Sequence, residues 1–236
     1  MDLDFSWKEI IDLATSVITL SLALTLASSG MGIIMKNPMS TLPLFSIYLI
    51  VITPAFILHE MGHRFMAKKY GAKAHYQGFP NWILFMLLGS ILFRVVFAAT
   101  GAVVIFAKYL TPKERADISL AGAQINIILA ILSFISLSIL GMITFIPQDI
   151  SIIINMILSY SIFINAFLAT FNLVPIYPLD GSKVMAYSFI RWIKWFGLSV
   201  IMLLFIRPES LTFILFLVMI SLILSFMSRK NKLMRG

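Results

Sequence analysis

Apolar side chains along this chain fall into blocks much longer than a soluble helix or strand requires, and polar residues collect between the blocks. Runs at about 10 to 34, 42 to 69, 116 to 143, 150 to 172, 184 to 206 and 209 to 228 are bounded by charges or by Pro and Gly. Most of them reach the roughly 20 residues that a helix needs to cross hydrocarbon. The pattern predicts an all-α membrane protein of about six transmembrane helices. Whether the fifth run spans fully stays open. Arg191, Trp192, Lys194 and Trp195 read as an interfacial anchor at its start, and Arg207 and Pro208 close it. A further apolar stretch, 79 to 107, is broken by Pro80, Gly89, Arg94 and Gly101, and predicts a re-entrant or membrane-associated segment between the second and third helices.

Composition strengthens this picture. Hydrophobic residues make up 60% of the 236, charged ones only 12%, and the mean hydropathy is +0.99, far from the makeup of soluble domains. One membrane domain, 1 to 236, is expected, with no appended soluble module. The first apolar run lacks a short core ending in a small-residue cleavage site and reads as a retained helix. The net charge of +8 does not imply nucleic acid, because no basic stretch is interleaved with stacking aromatics. It fits cytoplasmic loops facing anionic lipid.

If 79 to 107 does not cross, sixteen Lys and Arg fall on one side and two, Lys36 and Arg207, on the other. That bias makes the richer side cytoplasmic, together with both termini and the opening of any site near them. The expected location is a prokaryotic cell membrane.

Candidate chemistry sits at the end of the second run, in His59-Glu60-Met61-Gly62-His63. On a helix the two histidines share a face and can aim two imidazoles at one ion, while Glu60 lies beside them within reach of a water. A chance pattern on a helix end is the bland alternative. Against it, a Glu and two His within hydrocarbon cost several kcal/mol unless they are paired or bind something. His75, the remaining histidine, is expected to hydrate in a loop.

A catalytic zinc needs a third protein ligand and an open position. With no cysteine in the chain, only a carboxylate remains. Asp2, Asp4, Glu9 and Asp12 precede or begin the first helix, and Glu114 and Asp117 belong to a basic loop. Asp149 and Glu209 lie in outer turns, where capping accounts for them. Elimination leaves Asp180, in an apolar, proline-bracketed loop on the cytoplasmic side.

That loop reads Asn172-Leu-Val-Pro175-Ile-Tyr-Pro178-Leu-Asp180-Gly181. With the pentad on an earlier helix, it resembles the site-2 protease family of intramembrane zinc metalloproteases, in a compact form without PDZ or CBS domains. The resemblance covers 42 to about 185, a three-helix catalytic core, with outer helices at about 10 to 34 and 184 to 228. It implies one Zn2+ per chain held by His59, His63 and Asp180, with Glu60 as the base. A weaker match, Ala121-Gly122-Ala123-Gln124-Ile125-Asn126, has Ala123 where many relatives carry proline. It makes Asn126 a candidate site contact alongside ordinary small-residue packing.

Asn172 is a candidate donor to the oxyanion or to substrate backbone, and also suits a helix C-cap. Asn165 is expected to hydrogen-bond between helices. Pro54 is placed to kink the second helix. The pentad lies on the order of 12 to 18 Å from its helix end at ~1.5 Å per residue, so a polar cavity open to the cytoplasm is expected. The implied partners are a transmembrane protein substrate, locally unwound, and the lipid bilayer. Two other readings stay open: a metal-ion transporter or inactive scaffold, and a membrane zincin acting on chains at the membrane face.

Overall fold

A computed structural model describes residues 5 to 143, 145 to 212, 214, 215 and 219. Helix α1, Trp7–Ser29, starts where the Ser6 hydroxyl accepts the Glu9 N–H at 3.2 Å, and stops at Gly30, whose φ of +76° a side chain would resist. The first apolar run therefore breaks into α1 and a short α2, Met31–Lys36, followed by a 3₁₀ turn at Pro38–Thr41. Helix α3, Leu42–Lys69, carries Pro54 in its interior and ends just before Gly71, at φ +71°.

Helix α5, Pro112–Leu140, begins with a reciprocal Thr111 and Glu114 cap; α6 is Gln148–Asn172. The run expected at 184 to 206 is split: α7, Asp180–Tyr187, ends at the extended Ser188, whose side chain caps α8, Phe189–Ile206. Among the described residues five helices, including α8, are long and apolar enough to cross a membrane. The run expected at 209 to 228 lies largely outside the described residues.

Arg191 and Trp192 each bond to another element. Arg191 pairs with Asp117 at the start of α5, and the Trp192 indole donates to the Leu173 carbonyl at 2.8 Å. Both are turned toward protein by groups that sequence spacing does not reveal.

Between α3 and α5 the chain makes strand β1, Lys73–Gly78, helix α4, Pro80–Leu92, and strand β2, Gly101–Phe106. The strands pair antiparallel from Lys73 with Phe106 to Gly78 with Gly101, so the stretch from 79 to 100 leaves and returns to one place, as expected. His75 is on β1, its ring stacked on Phe106, rather than in a loop. The excursion is deep. Gly78 meets Asp12 on α1, while Arg94 donates to the carbonyls of Ala27 and Ser28 at 2.9 and 2.7 Å. Those points lie about 22 Å apart along α1 at ~1.5 Å per residue.

The centre is built by α3, α5 and α6. Gly62 of α3 faces Ala121 of α5 so closely that a Cβ would stand 3.1 Å from the Ala121 carbonyl oxygen. Small residues there let the backbones approach, and that approach brings α5 under the pentad.

Candidate active site

His59 and His63 lie one turn apart on α3, buried, with their Nε2 atoms 3.0 Å from each other. Asp180, first residue of α7, brings Oδ2 to 3.1 Å from His63 Nε2 and 3.8 Å from His59 Nε2. The loop before it is held by the Trp192 bond to Leu173 and by Gly181, where a Cβ would fall 2.0 Å from the Leu173 oxygen. The three donor atoms lie within 4.8 Å of one another.

The far side of each ring decides what they can bind. His59 Nδ1 is 2.5 Å from Asn126 Oδ1, and His63 Nδ1 is 2.7 Å from the Ile118 carbonyl. Both oxygens accept, so in the neutral rings the protons sit on Nδ1. Two Nε2 lone pairs and a carboxylate then face one another, an arrangement that repels itself unless a cation lies among them. Gly122 makes room: a Cβ there would stand 2.6 Å from His59 Nε2 and 2.7 Å from His63 Nε2. The set fits a tetrahedral zinc with one open position.

Glu60 points into a cavity of about 430 Å³ that also exposes His59, His63, Asp180, Asn172 and Lys183. Its Oε2 is buried without a hydrogen-bond partner among the described residues. Asn172 lines the same cavity at the end of α6, with its amide donating to Leu168 at 3.0 Å. Asn126 is elsewhere. Wholly buried, it stands behind His59 and gives its amide protons to Ala55 and to Asn165 Oδ1, at 3.0 and 2.9 Å. It orients His59 rather than lining the cavity, and Asn165 makes the expected bond between helices.

One wall is a strand within the re-entrant segment. Gly101, Ala102, Val103 and Ile105 of β2 border the cavity, with Phe79 and Trp82 beside them. The Phe79 N–H donates to the Thr100 carbonyl at 2.9 Å, continuing the ladder. By the alternation of an antiparallel pair, the N–H and C=O groups of Gly101, Val103 and Ile105 point away from β1. The apolar run Gly-Ala-Val-Val-Ile-Phe lacks the alternation that would have marked it as a strand.

Residues 47–195 match peptidase family M50. The chain belongs to that family. This bears out the site-2 protease resemblance, and with five membrane-length helices among the described residues it makes the protein a multi-pass membrane metalloprotease. Two proteins of Methanocaldococcus jannaschii are similar. One, named "Putative zinc metalloprotease", is 35% identical over 188 residues, 80% of this chain and 88% of that protein. The other, named "Zinc metalloprotease", is 26% identical over 145 residues, 60% of this chain and only 34% of its own length. No solved structure matches at a significant level. The M50 match begins within α3, so α1 lies outside it.

Proposed function

We propose that this M50 protein is an intramembrane zinc endopeptidase that cuts membrane-protein substrates within or near their transmembrane helices, in the manner of regulated intramembrane proteolysis. The observation that carries the reading is the buried Glu60 Oε2, without a hydrogen-bond partner among the described residues, beside three converging metal donors in a cavity walled by the outer edge of β2. Zinc bound to His59, His63 and Asp180 supplies a Lewis acid that polarises a peptide carbonyl and acidifies water.

The chain's own groups do the rest. Glu60 takes a proton from the attacking water as its oxygen bonds to the carbonyl carbon, then returns it to the amine as the C–N bond breaks. Asn172 turns its amide from Leu168 toward the developing oxyanion. Helical substrate keeps its carbonyls hydrogen-bonded, so it must unwind, and the outward groups of Gly101, Val103 and Ile105 offer an unwound stretch new backbone partners.

The surplus of Lys and Arg beside the pentad and the Asp180 loop supports a cytoplasmic opening for this cavity. His59 lies ten residues before the end of α3, about 15 Å at ~1.5 Å per residue, so water reaches the site through the cavity. The deciding test uses detergent-purified protein and a single-pass membrane substrate. Wild type should cleave it and stop on chelation. Glu60→Gln should hold zinc yet cleave on the order of 10²- to 10⁴-fold more slowly. Full activity in Glu60→Gln, or zinc transport by wild type without cleavage, would reject the proposal.

A further inference from the structure

The small sheet has two outer edges. One, on β2, borders the cavity; the other, on β1, lies against α1. Because Phe79 continues the ladder to Thr100, the backbone groups of Tyr76 and Gly78 point away from β2. Both N–H groups end on carboxylates of α1. Glu9 Oε1 accepts from Tyr76 at 2.8 Å, and Asp12 Oδ2 accepts from Gly78 at 3.1 Å. One turn on, the Ser16 hydroxyl meets the Tyr76 hydroxyl at 2.7 Å. Residues 9, 12 and 16 share a helix face, and that face matches the spacing of a strand edge.

Glu9 does more than cap. It is only 4% exposed, and its carboxylate also pairs with Arg64 Nη1 at 3.0 Å and accepts from Arg64 Nη2 at 3.3 Å. Arg64 follows His63 directly and lies one turn beyond Glu60. A single buried carboxylate thus joins the strand to the helix that carries two metal donors and the base. Burying that charge is tolerable only with such partners.

We propose that Glu9 and Asp12 are positioning residues for proteolysis: by accepting the Tyr76 and Gly78 N–H groups of the β1 edge they fix the sheet against α3, so the β2 edge holds substrate at one offset from the metal donors. They act through β1 and Arg64, not on the substrate. A strand advances about 3.3 Å per residue, so a sheet that shifts by that distance brings the neighbouring peptide bond over the site. The inference rests on the protease reading above, and it places two determinants of cleavage position in a helix outside the M50 match.

The test compares full-length, detergent-purified wild type, Glu9→Ala/Asp12→Ala, Asp12→Ala and the conservative Glu9→Gln/Asp12→Asn, each with its zinc content measured. Hydrogen–deuterium exchange at the Tyr76 and Gly78 amides needs no turnover. It should quicken by about tenfold or more in the double alanine variant, the usual worth of a charge-assisted bond. It should slow again in Glu9→Gln/Asp12→Asn, whose amide oxygens still accept. Product mass spectra should show wild type cutting mainly at one bond and the double alanine variant spreading to adjacent bonds with a raised KM and unchanged zinc. If the double variant loses zinc, Asp12→Ala, which leaves the Glu9–Arg64 pair in place, is read in the same way. Unchanged amide exchange, or a wild-type cut pattern and KM at full zinc, would overturn the inference. A wild type that cleaves nothing would instead count against the protease reading.

Discussion

Gly122 has no side chain to contribute, yet it limits what the site can hold. A methyl group there would fall within 2.7 Å of both imidazole Nε2 atoms, closer than packed atoms allow. Gly122→Ala should therefore reduce bound zinc to below about a tenth of the wild-type content, while circular dichroism keeps its helical signal. Normal zinc in that variant would mean that the rings can retreat. Sequence reading identified the pentad by its spacing and Asp180 by exclusion of every other acid. It valued Gly122 only as a small packing residue, because its neighbours come from another helix and no local spacing announces them. Asn126, expected as a site contact, stands behind His59 instead, for the same reason.

Elements divide between those that follow from their own sequence and those that depend on partners. The long helices α1, α3, α5 and α6 were legible because hydrophobic length is a local property. The loop carrying Asp180 was legible through its prolines, but not its anchor, the indole of Trp192 from α8. Trp192→Phe removes the donor to Leu173 and leaves a buried carbonyl unpaired, which costs about 1 to 3 kcal/mol. It should lower the thermal midpoint and weaken zinc affinity. An unchanged affinity in competition with a chelator would show that the loop is held by other contacts. Strands β1 and β2 were invisible because their pairing joins segments separated by α4 and because β2 is apolar throughout. Their antiparallel register makes a labelling prediction. Single cysteines at Lys73 and Lys113, both exposed, should react from one side of the membrane in a chain that has no other cysteine. Reaction from opposite sides would break the re-entrant topology.

For the molecule as a whole, an ion held by His59, His63 and Asp180 would join segments of α3 and α7 that are distant in sequence. An ion that binds only the folded chain stabilises it by RT ln(1 + [L]/Kd), about 4 kcal/mol at a thousandfold excess over Kd. Chelation should therefore lower the thermal midpoint of wild type and leave that of His59→Ala/His63→Ala unmoved. Equal shifts in the two proteins would locate the ion elsewhere. The orientation expected from the positive charges, both termini toward the cytoplasm, rests on parity. An even number of crossings between the pentad and Asp180 is required for the two to meet, and the return of the chain from 79 to 100 to its starting strand keeps that number even.

The hydrogen bonds behind His59 have a sense of travel. Asn165 gives its amide proton to the Ser161 carbonyl at 2.9 Å, Asn126 gives one to Asn165, and His59 gives one to Asn126. A main-chain carbonyl has no proton to give back, so Ser161 sets the polarity of the whole line and neither amide can reverse without stranding two like atoms face to face. His63 ends on a carbonyl too, that of Ile118. Both imidazoles are thus poled before any metal arrives, each with its basic nitrogen turned inward. An incoming ion would meet imidazoles that need no change of tautomer, and the information that keeps them so is stored in the backbone of α5 and α6.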